Sequence, residues 1–335
     1  MFKITVYHVR EVERPLFAKL NQNNYDINLV GDRLTPATIS KAADSDAVLL
    51  TAGDDADEKI IAQLHDYGIK YVFTRVVGVD NIDLAATAKY NMQVANVPCY
   101  SPRAVAELAF ILGMTMFRRV AQAVVNTQQG DFRRRQSYFA NEIHDATVGI
   151  VGAGQLGTAE AKLYRTMGTR VLAYQRHPDP ANQAVEFTDL DTLLKTADIV
   201  SLHVPFIPGK TENMIGRPQL DLMKDDAILV NTARGPVVDN QAVATAIQEH
   251  RIGGYATDVL LDDNEIMDHK FTSLAAVPNQ IDQTLMANYP NVIVTPHMGF
   301  YTEKAVADMI SISFTNFEQT LKTGQPVYLV DNKRD

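Results

Sequence analysis

The sequence predicts an α/β fold made of two doubly wound, parallel-sheet domains with a cleft between them. Three observations lead to this fold class. Strand-like runs alternate with helix-like runs, the alternation occurs in two sets along the 335 residues, and a glycine-rich turn follows the first strand of the second set. Strands that are separated by helices form parallel sheets with right-handed crossovers. A chain of this length can bury two separate cores.

The elements follow in order along the chain. In the first set FKITVYH, AVLLTA and YVFTR are strand-like, and DEKIIAQLHDYG has helical spacing that ends at Gly68. The second set consists of ATVGIVG, RVLAYQ, DIVSLHV, AILVNTA, GYATDV and NVIVTP. Each strand-like run of this second set is therefore expected to join one parallel sheet.

The domain boundary is predicted at NVPCYSPRAVAELAF, where Ser101 suits an N-cap and Pro102 suits the first helical position. Thr302 to Gly324 has the pattern of one more long amphipathic helix, without a strand set of its own. We therefore expect this helix to pack on the first domain. The prediction is a discontinuous substrate-binding domain of residues 1–100 plus 299–335, and a dinucleotide-binding domain of residues 101–298.

Composition excludes several classes of partner. A formal net charge of −9 argues against nucleic acid, whose phosphates require a basic protein surface. No apolar run is long enough for a membrane span, and MFKITVYHVR alternates like a strand rather than resembling a signal peptide. The single cysteine fits a reducing compartment. We expect a cytoplasmic protein without nucleic-acid or membrane partners, and no zinc-like ligand spacing indicates a metal.

The turn GIVGAGQLG predicts a dinucleotide site. Gly152, Gly154 and Gly157 have the G-x-G-x-x-G spacing, directly after a strand and before a helix-like run. The glycines provide a tight turn, a close approach of the backbone to a pyrophosphate, and close helix packing. Gln155 and Leu156 lie between Gly154 and Gly157, where the helix-like run begins. The free N–H groups at the start of that helix would bind the phosphates.

Polar residues follow three later strands of the second set. AILVNTARG contains Arg234, GYATDVLLDD contains Asp258 and Asp263, and NVIVTPHMG contains His297. Ligands of open α/β sheets bind beyond the carboxyl ends of the strands. We therefore expect Arg234 and His297 at the same edge of the sheet as the glycine turn.

With these residues, the chain resembles the D-isomer-specific 2-hydroxyacid dehydrogenases over nearly its whole length. The segments that carry the resemblance are TRVVGVDNID, NVPCYSP, TVGIVGAGQLG, SLHVP, MKDDAILVNTARG, GGYATDV and TPHMGFYTEKAV. The chain looks most similar to the branch of D-lactate, D-2-hydroxyisocaproate and (R)-2-hydroxyglutarate dehydrogenases. The resemblance implies two Rossmann or flavodoxin-like domains, a nicotinamide cofactor, and hydride transfer to or from a 2-keto acid.

The resemblance assigns catalytic roles that the chemistry supports. Arg234 can bind the substrate carboxylate and polarise the carbonyl, and His297 can exchange the proton. Family members usually carry a glutamate partner for this histidine, five residues after the equivalent of Asp258. This chain has Asp263 there and Glu265 just beyond. We expect Asp263 to be the partner, with Glu265 in reserve, because a neighbouring carboxylate favours the protonated imidazole.

Other contacts also follow from the resemblance. Val77 and Gly78 would offer backbone N–H groups to the substrate carboxylate, and Asp258 would lie close to the nicotinamide. His203 matches a segment near the cofactor, although we expect a hydrogen-bonded strand-end histidine rather than a proton carrier. The remaining expected cofactor contacts are Val204, Pro205, Thr232 and Ala233.

The strand end VLAYQRHPDP bears on the choice of cofactor. Dinucleotide-binding strands of this kind usually end in an acidic residue that accepts hydrogen bonds from the ribose hydroxyls of NAD. Here the residue at this position is Gln175, and Arg176 and His177 follow. These residues favour NADP(H), or use of both cofactors. Gln175 does not repel a 2′-phosphate as an acid would, and Arg176 and His177 add hydrogen-bond donors for it. In the alternative, Gln175 bonds an unmodified ribose, Arg176 lies in solvent, and the cofactor is NAD(H).

The substrate pocket is expected to include Thr51, Tyr100 and Phe300. Thr51 stands where lactate dehydrogenases would have a tyrosine and hydroxyglutarate dehydrogenases an arginine. We therefore expect branched or aromatic 2-keto acids such as 2-ketoisocaproate or phenylpyruvate, with D-lactate or (R)-2-hydroxyglutarate dehydrogenase as alternatives. Arg103 in a first helical turn is a cation that would fit either an anionic substrate group or an acid of a partner; in the alternative it is an exposed surface arginine. The alternative function from another class is that of a non-catalytic dinucleotide sensor of the same fold. The family resemblance also implies a homodimer.

Overall fold

The structure is a computed structural model that describes residues 1–330, with the side chain of Asn264 set aside. The chain forms two compact units. Unit 1 contains Met1–Ser101 and the segment from Tyr301, and unit 2 is Pro102–Phe300. The predicted boundaries after residues 100 and 298 lie slightly before these positions.

Unit 1 is built on a five-stranded parallel sheet with the strand order β2-β1-β3-β4-β5. This is the flavodoxin-like order, in which the direction of winding reverses between β1 and β3. β2 and β5 are short edge strands that the sequence pattern does not predict. The elements are β1 (Lys3–Val6), α1 (Arg14–Leu20), β2 (Asp26–Leu29), β3 (Ala47–Leu50), α2 (Glu58–Asp66), β4 (Tyr71–Thr74), α3 (Leu84–Lys89) and β5 (Gln93–Ala95), with a 3-10 turn at Ile39–Ala42.

Unit 2 contains a seven-stranded parallel sheet in which all six predicted strands appear, with β8 added at one edge. Its elements are α4 (Pro102–Phe117), α5 (Val120–Gln128), β6 (Thr147–Val151), α6 (Gln155–Thr166), β7 (Arg170–Tyr174), β8 (Glu186–Phe187), α7 (Leu190–Thr196), β9 (Ile199–Leu202), α8 (Arg217–Leu220), β10 (Ile228–Asn231), α9 (Asn240–Gln248), β11 (Gly254–Thr257), α10 (Asp263–Ile266), α11 (Gln280–Ala287) and β12 (Val292–Val294). Short 3-10 turns lie at Gln136–Tyr138, Ile143–Asp145, Gly235–Val237 and Leu274–Ala276.

The strand order in unit 2 is β12-β11-β10-β9-β6-β7-β8, and every pairing is parallel. This is the Rossmann order with one further strand at the β12 edge, so the predicted fold class is confirmed. The direction of winding reverses between β6 and β9. The first turn after β6 therefore lies where a dinucleotide binds in this fold.

Helix α4 is apolar on most of its surface because it packs on both α6 and the central strands of unit 2. Gly113 allows the close approach, since a Cβ there would lie 2.4 Å from the hydroxyl of Tyr164. Among residues 1–330, no single helix is long and apolar enough to cross a membrane. α4 and α5 meet that test only when taken together across a 62° bend.

Helix α12 (Glu303–Thr323) completes the core of unit 1, as its amphipathic pattern predicts. The side chain of Thr302 caps the first turn at Ala305, and Gly324 ends the helix with a φ of 86°. Phe317 stacks on Phe73 at a ring-centroid distance of 4.6 Å. Beyond the helix, the chain pairs with the β5 edge through the N–H of Val330.

Candidate active site

Three neighbouring strands of unit 2 carry the predicted catalytic residues just past their carboxyl ends. In the register of the sheet, Asn231 of β10 lies beside Thr257 of β11, which lies beside Val294 of β12. Arg234 follows the first of these strands and His297 follows the last. The strand ends are adjacent, so the sheet brings these segments to one edge.

His297 is hydrogen-bonded to Asp263 across the segments that follow β11 and β12. Its Nδ1 lies 2.8 Å from Oδ2 of Asp263. The other carboxylate oxygen accepts from the N–H of Leu260 at 2.6 Å. Because an ionised carboxylate only accepts, Nδ1 carries the proton in this pair, and Nε2 is the nitrogen left to meet a ligand. Glu265, held in reserve by sequence reasoning, is exposed.

The side chains of this pair are neither fully buried nor fully solvated, with exposed fractions of 34% for His297 and 22% for Asp263. An ion pair in such a position is less screened than one at the surface. The imidazole is therefore held by Asp263 while its outer nitrogen stays accessible to a small ligand.

Asp258 anchors the loop that presents the histidine. Its carboxylate accepts hydrogen bonds from the hydroxyl of Thr295 at 2.5 Å and from the N–H groups of Met298 at 2.9 Å and Gly299 at 2.8 Å. Burial raises the pKa of Asp258, against the opposing effect of these donors. The sequence places Asp258 near the nicotinamide but does not predict this anchoring. The anchoring depends on the pairing of β11 with β12, which brings the segments after the two strands together.

The anchored loop holds His297 in an unusual backbone conformation, with a φ of 50°. A left-handed conformation is rare for a residue other than glycine and is maintained only where surrounding contacts fix it. Here the hydrogen bonds from both following N–H groups to Asp258 provide that fixation. The imidazole is thus positioned by its backbone as well as by Asp263.

Arg234 lies in an extended segment after β10, with φ −147° and ψ 141°. The buried amide of Asn231 fixes the turn, because its Nδ2 donates to the carbonyl of Arg234 and its Oδ1 accepts from Ala233, each at 3.0 Å. Next in the chain, a Cβ on Gly235 would lie 2.0 Å from the carbonyl oxygen of Leu260. The arginine segment is therefore packed against the segment that leads to Asp263.

The glycine turn between β6 and α6 has the shape that a pyrophosphate requires. Gly152 has a φ of 99°, and a Cβ there would lie 2.7 Å from the carbonyl oxygen of His203. A Cβ on Gly157 would lie 2.2 Å from the carbonyl oxygen of Gly152, whereas one on Gly154 would meet nothing within 4 Å. Space is thus left open at Gly154, directly before the N–H groups of the first turn of α6.

Three buried polar atoms at the expected cofactor positions have no hydrogen-bond partner within the described chain. They are Oε1 of Gln175, just after β7, Nδ1 of His203, just after β9, and Oγ1 of Thr232, just after β10. Nε2 of Gln175 donates to the carbonyl of His177 at 3.1 Å, and both Arg176 and His177 are exposed. Unsatisfied buried acceptors at strand ends are suited to ligand hydroxyls. The residues of unit 2 therefore fit a dinucleotide.

His203, just after β9, is hydrogen-bonded through one ring nitrogen, and its Nδ1 has no partner within the described chain. Its Nε2 lies 2.5 Å from a carboxylate oxygen of Glu160 on α6, and both side chains are buried. Val204 contacts the glycine turn, since a Cβ on Gly152 would lie 3.0 Å from its Cγ1. Of the other expected cofactor contacts, Ala233 is buried, Leu156 half-buried, and Gln155 and Pro205 exposed.

The expected substrate residues of unit 1 follow the carboxyl ends of its strands. Thr51 comes directly after β3, and its hydroxyl lies 3.2 Å from Nδ1 of His8. Val77 is exposed after β4, where its carbonyl accepts from Asn96 at 2.7 Å, and Gly78 is half-buried. Tyr100 lies near the end of the first segment of unit 1 and is half-buried.

Sequence reasoning missed a buried ion pair that holds the start of the loop containing Val77. The guanidinium of Arg75 donates to both carboxylate oxygens of Glu13 at 3.2 and 3.1 Å, and to the carbonyl of His8 at 2.9 Å. The exposed fractions of the two side chains are 0% and 1%. The available signal was an arginine at the end of an apolar strand, VFTR.

Phe300 is the only expected substrate residue that belongs to unit 2, and its ring centroid lies 6.4 Å from that of His297 in an edge-on arrangement. Within residues 1–330, no group of three or more His, Cys, Asp or Glu side chains is arranged to hold a metal ion. The groups that this part of unit 2 offers to a ligand are thus a guanidinium, an imidazole with its carboxylate, and the phosphate turn.

Comparison with known proteins gives matches along the whole chain. The D-lactate dehydrogenase of Lactobacillus delbrueckii subsp. bulgaricus is 34% identical over 320 residues, covering 94% of this chain and 95% of that protein. The aromatic 2-oxoacid reductase of Clostridium sporogenes is 30% identical over 322 residues, covering 95% and 96%. The crystal structure of D-lactate dehydrogenase with NAD+ from Lactobacillus jensenii matches with a TM-score of 0.85 and 38% identity, covering 99% of this chain and 100% of that one.

A family model described as "D-isomer specific 2-hydroxyacid dehydrogenase, NAD binding domain" matches residues 110–299, which is more than half of the chain. This region contains the glycine turn and the strand ends that carry Arg234, Asp263 and His297. The chain therefore belongs to the D-isomer-specific 2-hydroxyacid dehydrogenase family and is an oxidoreductase of 2-hydroxy acids with a nicotinamide cofactor.

Proposed function

We propose that the protein reduces 2-keto acids to D-2-hydroxy acids, and the reverse, with Arg234, His297 and Asp263 as its catalytic residues. The observation that carries this proposal is the hydrogen bond between Nδ1 of His297 and Asp263, which leaves Nε2 for the substrate. A general acid needs both a held proton and an accessible atom, and this pair provides them.

In the proposed mechanism each group acts on a different part of the substrate. The guanidinium of Arg234 binds the carboxylate and polarises the keto group, because it is always charged and offers several donors. Nε2 of His297 gives its proton to the keto oxygen during reduction and takes it back during oxidation. Asp263 stabilises the imidazolium form, and its bond to Leu260 fixes its orientation. When bound, the nicotinamide supplies or accepts the hydride.

We also propose that NAD(H) is the preferred cofactor and that NADP(H) is used less well. The sequence alone favours NADP(H), because no acid stands at Gln175. However, the amide nitrogen of Gln175 is engaged by the carbonyl of His177. The atom left over is Oε1, which can accept from a ribose hydroxyl but cannot donate to a 2′-phosphate. The exposed Arg176 supports the remaining use of NADP(H).

The cofactor preference is measured by kcat/KM for NADH and NADPH at a saturating keto acid. NADH is expected to be favoured at least about tenfold. Arg176→Ala is expected to lower kcat/KM for NADPH by roughly tenfold while leaving that for NADH within about twofold. A wild-type enzyme that prefers NADPH would contradict the proposal.

For the substrate, we propose a 2-keto acid with a branched or aromatic side chain, with Thr51, Val77, Gly78, Tyr100 and Phe300 as the contacting residues. Thr51 is small and has its hydroxyl engaged by His8, so it provides room rather than a cation for a second carboxylate. The similarity to the aromatic 2-oxoacid reductase supports this proposal. D-Lactate and (R)-2-hydroxyglutarate dehydrogenase activity are the alternatives.

The deciding experiment is a panel of 2-ketoisocaproate, phenylpyruvate, pyruvate, 2-ketoglutarate and oxaloacetate, each assayed with NADH. Activity on the first two with kcat/KM at least about tenfold above pyruvate is expected. His297→Gln is expected to lower kcat by about a hundredfold or more on every active substrate. A preference for the dicarboxylic acids would overturn the proposed pocket, and inactivity on the whole panel would favour a dinucleotide sensor.

A homodimer in the cytoplasm is the proposed state of the protein. Exposed apolar side chains on or after α4 and α5 support a subunit contact, among them Ile111, Val124, Phe132 and Phe139. Light scattering coupled to gel filtration should give twice the mass of one chain. Replacing Phe139 and Phe132 with serine is expected to lower that mass to one chain, whereas a monomeric wild-type protein would contradict the proposal.

A further inference from the structure

Asp282, on the first turn of α11, is a buried carboxyl group that the proposed mechanism does not use. Its exposed fraction is 0%. Neither of its side-chain oxygens has a hydrogen-bond partner in the part of the chain that the structure describes. An isolated carboxylate in such a position is strongly disfavoured relative to the neutral acid. The group is therefore poised to hold a proton under conditions in which an exposed aspartate would not.

The titratable groups that face Asp282 are Asp262, Asp263 and Tyr255. Helix α11 packs on α9, on β12 and on the 3-10 turn Leu274–Ala276, and the sequences of these elements contain no charged side chain. Asp262 is separately held, since its Oδ2 accepts from Nδ2 of Asn279 at 2.6 Å. The charged groups that are shown to act on Asp282 are thus both carboxylates, Asp262 and Asp263.

The pKa of Asp282 is raised to about 6, mainly by burial and in addition by the negative charges of Asp262 and Asp263. The interaction is mutual, because the field that opposes ionisation of Asp282 is also the field that an ionised Asp282 exerts on Asp263. Tyr255 lies near Asp282 and Asp263 as well. Its pKa is raised to about 12, mainly by burial and in addition by the negative charges of these two carboxylates.

We propose that Asp282 is a positioning residue for the reaction, which acts through Asp263 by adding negative potential behind the Asp263–His297 pair as the pH rises. This inference rests on the proposed roles of Asp263 and His297. Asp282 touches neither substrate nor cofactor in this proposal. Because Asp282 is buried, its charge acts on Asp263 with less screening than an exposed charge would.

The direction of the effect follows from the order of ionisation. A free imidazole loses its proton near pH 6.5, which would end proton donation to a keto acid at neutral pH. Asp282 becomes charged over the range just below that value, and the new charge favours the imidazolium. Keto-acid reduction therefore continues to a higher pH than the Asp263–His297 pair alone would allow.

The test is the pH dependence of kcat/KM for keto-acid reduction by the wild type and by Asp282→Asn, between about pH 5 and pH 9. In the variant the alkaline limb is expected to move to lower pH by about half a unit or more, while kcat/KM near pH 5.5 stays within about twofold of the wild type. A lower kcat/KM at every pH, without displacement of the limb, would show a merely structural role and overturn the proposal.

Matched variants separate the possible causes. Asp225→Asn removes one exposed carboxylate before β10, away from the carboxyl ends of the strands, and is expected to leave the limb unmoved. Asp282→Ser provides a second, smaller neutral side chain should the asparagine variant fold poorly, and the same displacement is expected. If the alkaline limb moved as far in Asp225→Asn as in Asp282→Asn, the cause would be the change in net charge rather than the position of Asp282. That result would overturn the proposal.

The double variant Asp263→Asn/Asp282→Asn distinguishes this inference from the proposed function. If Asp282 acts through Asp263, replacing it in the Asp263→Asn background moves the limb much less than in the wild type. Equal displacement in both backgrounds would overturn the inference. If Asp263→Asn alone leaves the pH profile unchanged, the proposed role of Asp263 fails instead.

Discussion

At the scale of single residues, the site depends on how a short carboxylate reaches the histidine. Asp263 is one methylene shorter than the glutamate usual in the family, yet its Oδ2 lies 2.8 Å from Nδ1 of His297. The contact is possible because α10 begins at Asp263 and the N–H of Leu260 fixes the other carboxylate oxygen. Local backbone geometry thus compensates for the length of the side chain.

Asp263→Asn should lower the pH at which keto-acid reduction is lost, because the amide does not stabilise the imidazolium as a carboxylate does. We expect kcat/KM near pH 8 to fall by about tenfold or more, with a smaller loss near pH 5.5. The measurement is the pH profile of kcat/KM with phenylpyruvate or 2-ketoisocaproate. An unchanged profile would remove Asp263 from the mechanism.

The buried pair of Arg75 and Glu13 gives a second prediction at this scale. Arg75→Met is expected to lower the free energy of unfolding by about 3–5 kcal/mol, because it leaves the carboxylate of Glu13 buried without its partner. Replacing both residues, as in Arg75→Met/Glu13→Gln, should restore part of the loss. Urea unfolding followed by circular dichroism measures both. A single variant as stable as the wild type would show that Glu13 is rehydrated or protonated at no cost.

At the scale of elements, the β6–turn–α6 unit shows how three glycines perform different tasks. A side chain at Gly157 would meet the backbone of Gly152, whereas one at Gly154 would meet open space. Gly157 is therefore required for the fold, whereas Gly154 leaves open the space in front of α6 that a ligand would occupy. The two positions therefore form a natural matched pair of substitutions.

Gly157→Ala is expected to destabilise unit 2 by about 1–3 kcal/mol, because the added methyl overlaps a carbonyl oxygen that cannot move easily. Gly154→Ala should leave the melting temperature nearly unchanged and weaken NADH binding by about tenfold or more, since the methyl takes up space for the phosphates. Thermal unfolding and fluorescence titration with NADH check both. Unimpaired binding in Gly154→Ala would place the pyrophosphate elsewhere.

Elements with strong local signals were predictable from the sequence. α4 begins at Pro102 as expected, and α12 lies within the predicted helical segment Thr302 to Gly324. The edge strands β2, β5 and β8 were not predicted, because short and half-buried segments lack a clear apolar period. At the site, the family resemblance implied Asp263 as the partner of His297, but the loop anchor at Asp258 and the buried Asp282 depend on tertiary packing that no local pattern records.

At the scale of the whole molecule, Asp282 predicts an unusual pH dependence of stability. Its pKa is raised from 3.8 to about 6 in the folded protein, so the folded state holds this proton more tightly than the unfolded chain. The contribution to the free energy of unfolding is present below about pH 4 and is lost as the pH rises towards 6 and above. The loss amounts to about 3 kcal/mol.

Asp282→Asn should abolish this loss, so the variant should be more stable than the wild type near pH 8 and similar to it near pH 4. Urea unfolding at the two pH values, monitored by circular dichroism, provides the comparison. A variant that is less stable than the wild type at pH 8 would mean that the charged form of Asp282 is compensated within the fold.

The return of α12 to unit 1 has a consequence for synthesis on the ribosome. Phe73 of the N-terminal sheet packs against Phe317, and all of unit 2 is translated between them. Unit 2 can finish folding as soon as Phe300 has emerged, whereas one face of the earlier sheet must wait with its apolar side chains uncovered. Unit 1 is thus begun first and completed last. Nascent chains stalled before Phe317 are expected to recruit chaperones at that sheet.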